Sequence, residues 1–193
     1  MSTSKTQAMR RVAGADLSLT SSGIAVITQR VDSSCIATAT TITSRGRRAD
    51  GLPERLARIA RLAEEIDHAI GTAELVVLEA PSFGSKTASP VDGHHLWMST
   101  AARLTTRGVP IALCVPATRA KAITGSGRAD KAAVAAAVAR LWPDLVLSNS
   151  DEADAVALAH LGAARLGWDV QVLQRHLDAM DAVRWPEPRA VAA

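Results

Sequence analysis

This sequence has no tyrosine and a single phenylalanine, and aromatic residues make up only 3% of its 193 positions. A sheet carrying several stacking rings, common among single-strand binders, is therefore hard to build. Cysteine is nearly as scarce. Cys35 and Cys114 are the only two, which make neither a disulfide framework nor a zinc centre, and a reducing cytosol is the simpler expectation. Long hydrophobic runs are also missing. The longest, such as 132–139, are short and rich in alanine, well below the roughly 20 apolar residues of a membrane span. Arg10 and Arg11 precede no apolar stretch of signal-peptide length, so secretion is not expected. The G-x-x-x-x-G-K-[ST] phosphate loop is absent. Asp151-Glu152-Ala153-Asp154 spells the DEAD of helicases, but that motif belongs at a strand end beside such a loop. Gly125-Ser126-Gly127 lacks the later glycine of a dinucleotide fingerprint. His68, His94, His95, His160 and His176 show no zinc spacing.

What is present is ordinary globular material: 48% hydrophobic, 21% charged, with a formal net charge of +3. That apolar share excludes disorder and supports one domain with a core. The mild basicity permits nucleic-acid binding without demonstrating it. Residues 1–9 read as a disordered tail, 10–167 as one domain and 168–193 as an extension. Arg10–Leu17, Gly23–Val31 and Cys35–Thr43 read as three strands of an antiparallel meander. Leu56, Ile59, Leu62, Ile66 and Ile70 then recur at helical spacing, so Leu52–Ile70 is expected to be a helix, opened by Pro53 and closed by Gly71. Glu74–Leu78 is a fourth strand ending at Glu79, and Val109–Val115 a fifth. Between them lie a loop from Pro81 to Gly93 and a helix from His94 to Arg107. Helices are expected at Arg128–Leu141 and Ser150–Leu166, and a short one near Val172–Ala182; Pro116–Ile123 has no element assigned, and Pro143–Asn149 is a connection. Strands that pair first as hairpins and then alternate with helices imply a five-stranded mixed α/β sheet with helices on both faces.

Four acids stand beside apolar structure. Asp16 ends the first strand and Glu79 the fourth. Asp151 and Asp154 lie three apart in the first turn of a helix and so share one face. If the first and fourth strands are neighbours, all four meet at one edge of the sheet. Singly, each reads as a turn residue, a solvated acid or a partner of the helix dipole. Together, they need positive charge among them. Hard divalent cations prefer oxygen ligands, and paired ions can hold both the attacking and the leaving oxygen of a phosphoryl displacement. The pattern reads as a metal-dependent phosphodiesterase.

The 14–23 segment, GADLSLTSSG, resembles the opening of the RuvC family of Holliday-junction resolvases. Val76-Val77-Leu78-Glu79 is similar to its second acidic strand, 124–131 (TGSGRADK) to its glycine loop and basic helix, and 151–159 (DEADAVALA) to its closing helix. The four blocks follow family order from about Gly14 to Gly162. The resemblance implies an RNase H-like nuclease domain, a homodimer, and Mg²⁺- or Mn²⁺-dependent symmetric nicking of four-way junctions or other branched DNA, leaving 5′-phosphate and 3′-hydroxyl ends. Two ions per active site are expected, held by Asp16, Glu79, Asp151 and Asp154, with Asp16 between them. Lys131, and by looser correspondence Lys121 and Arg119, match basic residues facing the phosphates. Lys121 stands out of the family's register relative to Gly125. Arg128, Lys86 and the loop arginines Arg45, Arg47 and Arg48 complete the expected DNA contacts, though a solvated hairpin loop explains those three arginines equally well. Phe83 follows the second acid and is either a wedge at the junction or an anchor of its own loop. A cytoplasmic protein of a bacterium, nucleoid-associated or virus-encoded, is implied. Two other readings are open: an actin-like or sugar-kinase ATPase fragment, and a catalytically weak binder of branched DNA.

Overall fold

The computed structural model describes residues 9–81 and 90–187. Most of the expected N-terminal tail, Phe83 and Lys86 lie outside the described residues. The sheet holds five strands in the order β3-β2-β1-β4-β5. They are β1 (Arg10–Asp16), β2 (Ser21–Gln29), β3 (Cys35–Thr43), β4 (Leu75–Glu79) and β5 (Ile111–Cys114). β1 pairs antiparallel with β2 and β2 with β3, while β1–β4 and β4–β5 are parallel. This is the mixed sheet the sequence predicts. Six helices follow: α1 (Leu52–Ile70), α2 (Pro90–Thr106), α3 (Pro116–Thr124), α4 (Lys131–Leu141), α5 (Ser150–Arg165) and α6 (Gln174–Met180).

Helices cover both faces. On one, the predicted stripe of α1 (Ile59, Leu62, Ile66, Ile70) meets Leu96 and Leu104 of α2 over Ala13, Ala15, Val76 and Leu78. On the other, α5 lies directly on the sheet, and every residue from Glu152 to Ala163 is buried. Such a helix, wrapped on all sides, needs small side chains, which its alanines supply. It also needs gaps in the sheet. A Cβ on Gly14 would collide with the backbone of Ala155 and Ala159, and one on Gly23 with the backbone of Asp151. These two glycines set how closely α5 approaches, and therefore where its acidic first turn lies.

Three sequence expectations need correction. Pro116–Ile123, to which the sequence assigns no element, is a helix. Proline opens α3, and Gly125, with φ +89°, closes it by donating to the Lys121 carbonyl at 2.8 Å. Its four buried residues, Arg119, Ala120, Ala122 and Ile123, are too short a pattern to read as a period. The helix expected from Arg128 begins at Lys131, because the Asp130 carboxylate accepts the Ala133 N–H and caps it. α2 begins at Pro90, earlier than its first apolar repeats. The expected short helix in the extension is present as α6. Beyond it the chain pairs with the sheet's edge, where Leu113 and Arg184 exchange two backbone hydrogen bonds of 2.9 Å. His160 of α5 and His176 of α6 meet at 3.3 Å between Nε2 and Nδ1, with Trp142 edge-on to His160. Among the described residues, no helix is long and apolar enough to cross a membrane.

Two outcomes follow from this packing. Gly14→Ala, by forcing α5 off the sheet, should cost about 1–3 kcal/mol in urea unfolding. Burial, helped by the charge of His176, lowers the His160 imidazole from 6.5 to about 4. The folded protein therefore resists the proton that the unfolded chain accepts, and the contribution present above pH 6.5 is lost as pH falls toward 4. Thermal melts from pH 7 to pH 5 should show wild type losing stability relative to His160→Leu; parallel curves would refute this.

Candidate active site

The parallel register pairs Ala15 with Leu78, so Asp16 and Glu79, one residue on, leave the sheet at the same edge. After Asp16 the chain must reverse. The Ser22 hydroxyl donates to the Ser18 carbonyl at 2.7 Å and accepts the Ser18 N–H at 2.9 Å, which closes that turn. At the end of β4, the Trp97 indole N–H donates to the Glu79 carbonyl at 2.8 Å and fixes the strand from the α2 side.

The first turn of α5 crosses this edge. The Asn149 side chain caps it, accepting the N–H groups of Asp151 and Glu152 at 3.0 Å each. Ser21, at the start of β2, donates to Asp151 Oδ2 at 2.5 Å and ties the helix to the hairpin. Glu152 points elsewhere. It is 4% exposed, accepts from the Thr41 hydroxyl at 2.9 Å and from the Ser148 N–H at 2.7 Å, and so joins the helix to β3. This acid of the DEAD string is a structural clasp. Asp151 and Asp154 remain on the active edge.

Two cations enter among the carboxylates. Lys131 Nζ, at the start of α4, lies 3.1 Å from Asp151 Oδ1 and 3.2 Å from Ser150 Oγ. Arg119 of α3 is buried. Its Nε sits 2.7 Å from Glu79 Oε2, and its Nη1 pairs with Asp154. The contact with Glu79 is a short, buried ion pair.

The charges respond accordingly. Burial pushes the Glu79 carboxyl up to about 7, the charge of Asp16 adds to this, and Arg119 opposes it. Burial likewise raises Asp16; Arg119 counters, and Asp151 reinforces the rise. Burial would raise Asp151 too, but hydrogen bonds from Ser21 and Lys131, together with the lysine charge, hold it below the usual carboxylate range. Cys114, across the ladder from Glu79, is driven up to about 12 by burial and then by that carboxylate, so it is an inert thiol.

The donor set suits a hard ion. All of its donors are carboxylate oxygens, and Asp16 and Glu79 are desolvated beyond what their cations offset. Among the described residues, no three His, Cys, Asp or Glu side chains come together closely enough to hold one ion. Mg²⁺ commonly takes one or two carboxylates and keeps its waters, so an open arrangement of this kind fits it.

The four predicted acids and Lys131 are therefore brought to one edge. Arg119, expected to face phosphates, instead faces carboxylates. Lys121, Arg128, Arg45, Arg47 and Arg48 are exposed on the surface. Sequence reasoning missed the roles of Ser21 and Trp97. Ser21 had a signal, because it sits inside the turn motif after Asp16; Trp97 had none, since its hydrogen bond depends on how α2 packs against β4.

A mixed sheet with acids ending its two central parallel strands, crossed by an acidic helix turn, defines an RNase H-like nuclease architecture. The family model described as Crossover junction endodeoxyribonuclease RuvC matches residues 12–161, and the chain belongs to that family. A relative so named from Nocardioides sp. is 37% identical over 111 residues, 56% of this chain and 61% of the relative. Another, from Streptomyces avermitilis, is 54% identical over 54 residues, 28% of this chain and 31% of the relative. The matched stretches thus span less than two thirds of either relative. The Thermus thermophilus RuvC structure superposes with a TM-score of 0.62 at 24% identity, covering 82% of this chain and 97% of that one. The same protein in complex with Holliday junction substrate gives 0.60 at 23% identity, over 82% and 96%. At that identity the likeness establishes the fold.

Glu152→Ala leaves the Ser148 N–H and the Thr41 hydroxyl without their acceptor. It should cost about 1–3 kcal/mol in urea unfolding, whereas Asp151→Asn should cost little. Equal losses would remove the distinction between clasp and site.

Proposed function

We propose that the chain is a metal-dependent, structure-selective endodeoxyribonuclease that resolves Holliday junctions or other branched DNA by symmetric nicking. The observation that carries this reading is the meeting of Asp16, Glu79, Asp151 and Asp154 at one sheet edge, with Lys131 at its rim. Asp16 and Asp151, with Glu79 and Asp154 beside them, would hold Mg²⁺ or Mn²⁺. Such an ion supplies acidity to a water and neutralises phosphate charge. The chain's own residues do the rest. Ser21 and Trp97 hold Asp151 and the end of β4 in place. Lys131, with its side chain 68% exposed, meets the scissile phosphate and offsets its growing negative charge. Cleavage leaves a 5′-phosphate and a 3′-hydroxyl.

A homodimer with twofold symmetry would present two such edges to the two equivalent strands of a four-way junction. Lys121, Arg128, Arg45, Arg47 and Arg48 are exposed and suited to backbone phosphates, so affinity should fall steeply with salt. Residues 10–167 form the nuclease domain and 168–193 an extension to it. A cytoplasmic setting, nucleoid-associated or virus-encoded in a bacterial host, accords with this substrate.

The test is a nicking assay on a four-way junction with Mg²⁺. Asp16→Asn should cut at background rate while binding the junction as wild type does. Wild-type nicking by this variant would overturn the assignment.

A further inference from the structure

The four carboxylates at the active edge carry four formal negative charges, and the side chains paired with them, Arg119 and Lys131, carry two positive ones. Two negative charges are left over. One divalent ion cancels them, whereas two ions would leave the pocket positive by the same amount before any phosphate arrives.

The two cations are not equivalent. Lys131 reaches in from the rim on a flexible stem. Arg119 has a side chain only 9% exposed, and its fork spans from Glu79 at the end of β4 to Asp154 on α5. It therefore lies between two carboxylates that come from different elements. Its helix is tied near its C-terminal end to α6, where Arg175 donates to the Ile123 carbonyl at 3.1 Å. Were the guanidinium to leave, Glu79 and Asp154 would be buried and unpaired, the expensive outcome of breaking such a pair. Arginine also keeps its charge at any physiological pH. Glu79 and Asp154 thus already have a permanent cation between them.

We propose that Arg119 is a built-in counter-ion that takes the place of one of the two metal ions expected here. Each protomer then binds a single divalent ion, through Asp16 and Asp151, while Arg119 holds Glu79 and Asp154. This rests on the metal-dependent reading above and specifies its ion count. Arg119 acts here as a positioning residue, keeping two acids in place without touching substrate.

Calorimetric titration of the full-length protein with Mn²⁺, together with the electron paramagnetic resonance of the bound ion, tests this without cleavage. Wild type should bind one Mn²⁺ per protomer and show no spin-coupled pair. Arg119→Met, which keeps the apolar stem and removes the guanidinium with its charge, should admit a second ion. Arg119→Lys should return the count to one. Metal-free Arg119→Met should melt below wild type and recover more of its Tm on adding Mn²⁺ than wild type gains. Two ions of similar affinity in wild type would overturn the proposal, as would an unchanged count and affinity in a folded Arg119→Met. If that variant does not fold, the wild-type count alone decides. Junction nicking with two ions bound would refute the counter-ion and leave the nuclease reading standing. One bound ion with no nicking of any branched DNA would do the reverse.

Discussion

Carboxylates gathered at the end of a sheet repel one another, and burial sharpens that repulsion by removing the water that would screen it. Four of them converge in this protein, at the ends of β1 and β4 and on the first turn of α5. The arrangement holds because neighbouring elements deliver positive charge into the same space: Arg119 from α3 and Lys131 from α4. Burial first, and then the neighbouring carboxylates, displace Asp16 and Glu79 upward from ordinary carboxylates. A domain that spends folding stability on concentrated negative charge is equipped to hold a hard cation and, next to it, a phosphate.

Backbone proximity makes the convergence possible. Parallel pairing of β1 with β4 aligns two acids without any help from side chains. The other two arrive only because α5 lies against the sheet with almost nothing between them, over Gly14 and Gly23. Small residues in the sheet, alanines in the helix and the Asn149 cap are parts of one device for placing a helix turn. The geometry of the acidic edge is here a by-product of close packing.

Much of this was legible in the sequence. The strands between turn residues, the stripe of α1 and the acids at element ends can each be read locally, and the resemblance ordered them into a fold. α3 escaped because nine residues, with only Ile123 a large apolar side chain on the buried side, carry too little periodicity to mark a helix. The setting of Arg119 escaped for a different reason. On a short helix a lone arginine reads as solvent-facing or phosphate-facing, and only the tertiary placement of α3 against β4 and α5 turns it inward. Glu152 shows the same limit. Its spacing from Asp151 and Asp154 does not say that it faces Thr41 rather than the pocket.

The matched family span closes at residue 161, yet α6 lies beyond it and grips α3 through Arg175. The extension is therefore more than an appendage. It braces, from behind, the short helix on which the inward guanidinium rides. Substitutions in this tail would therefore have a mechanical route for retuning the pocket's charge, with the chemistry altered from outside the matched span.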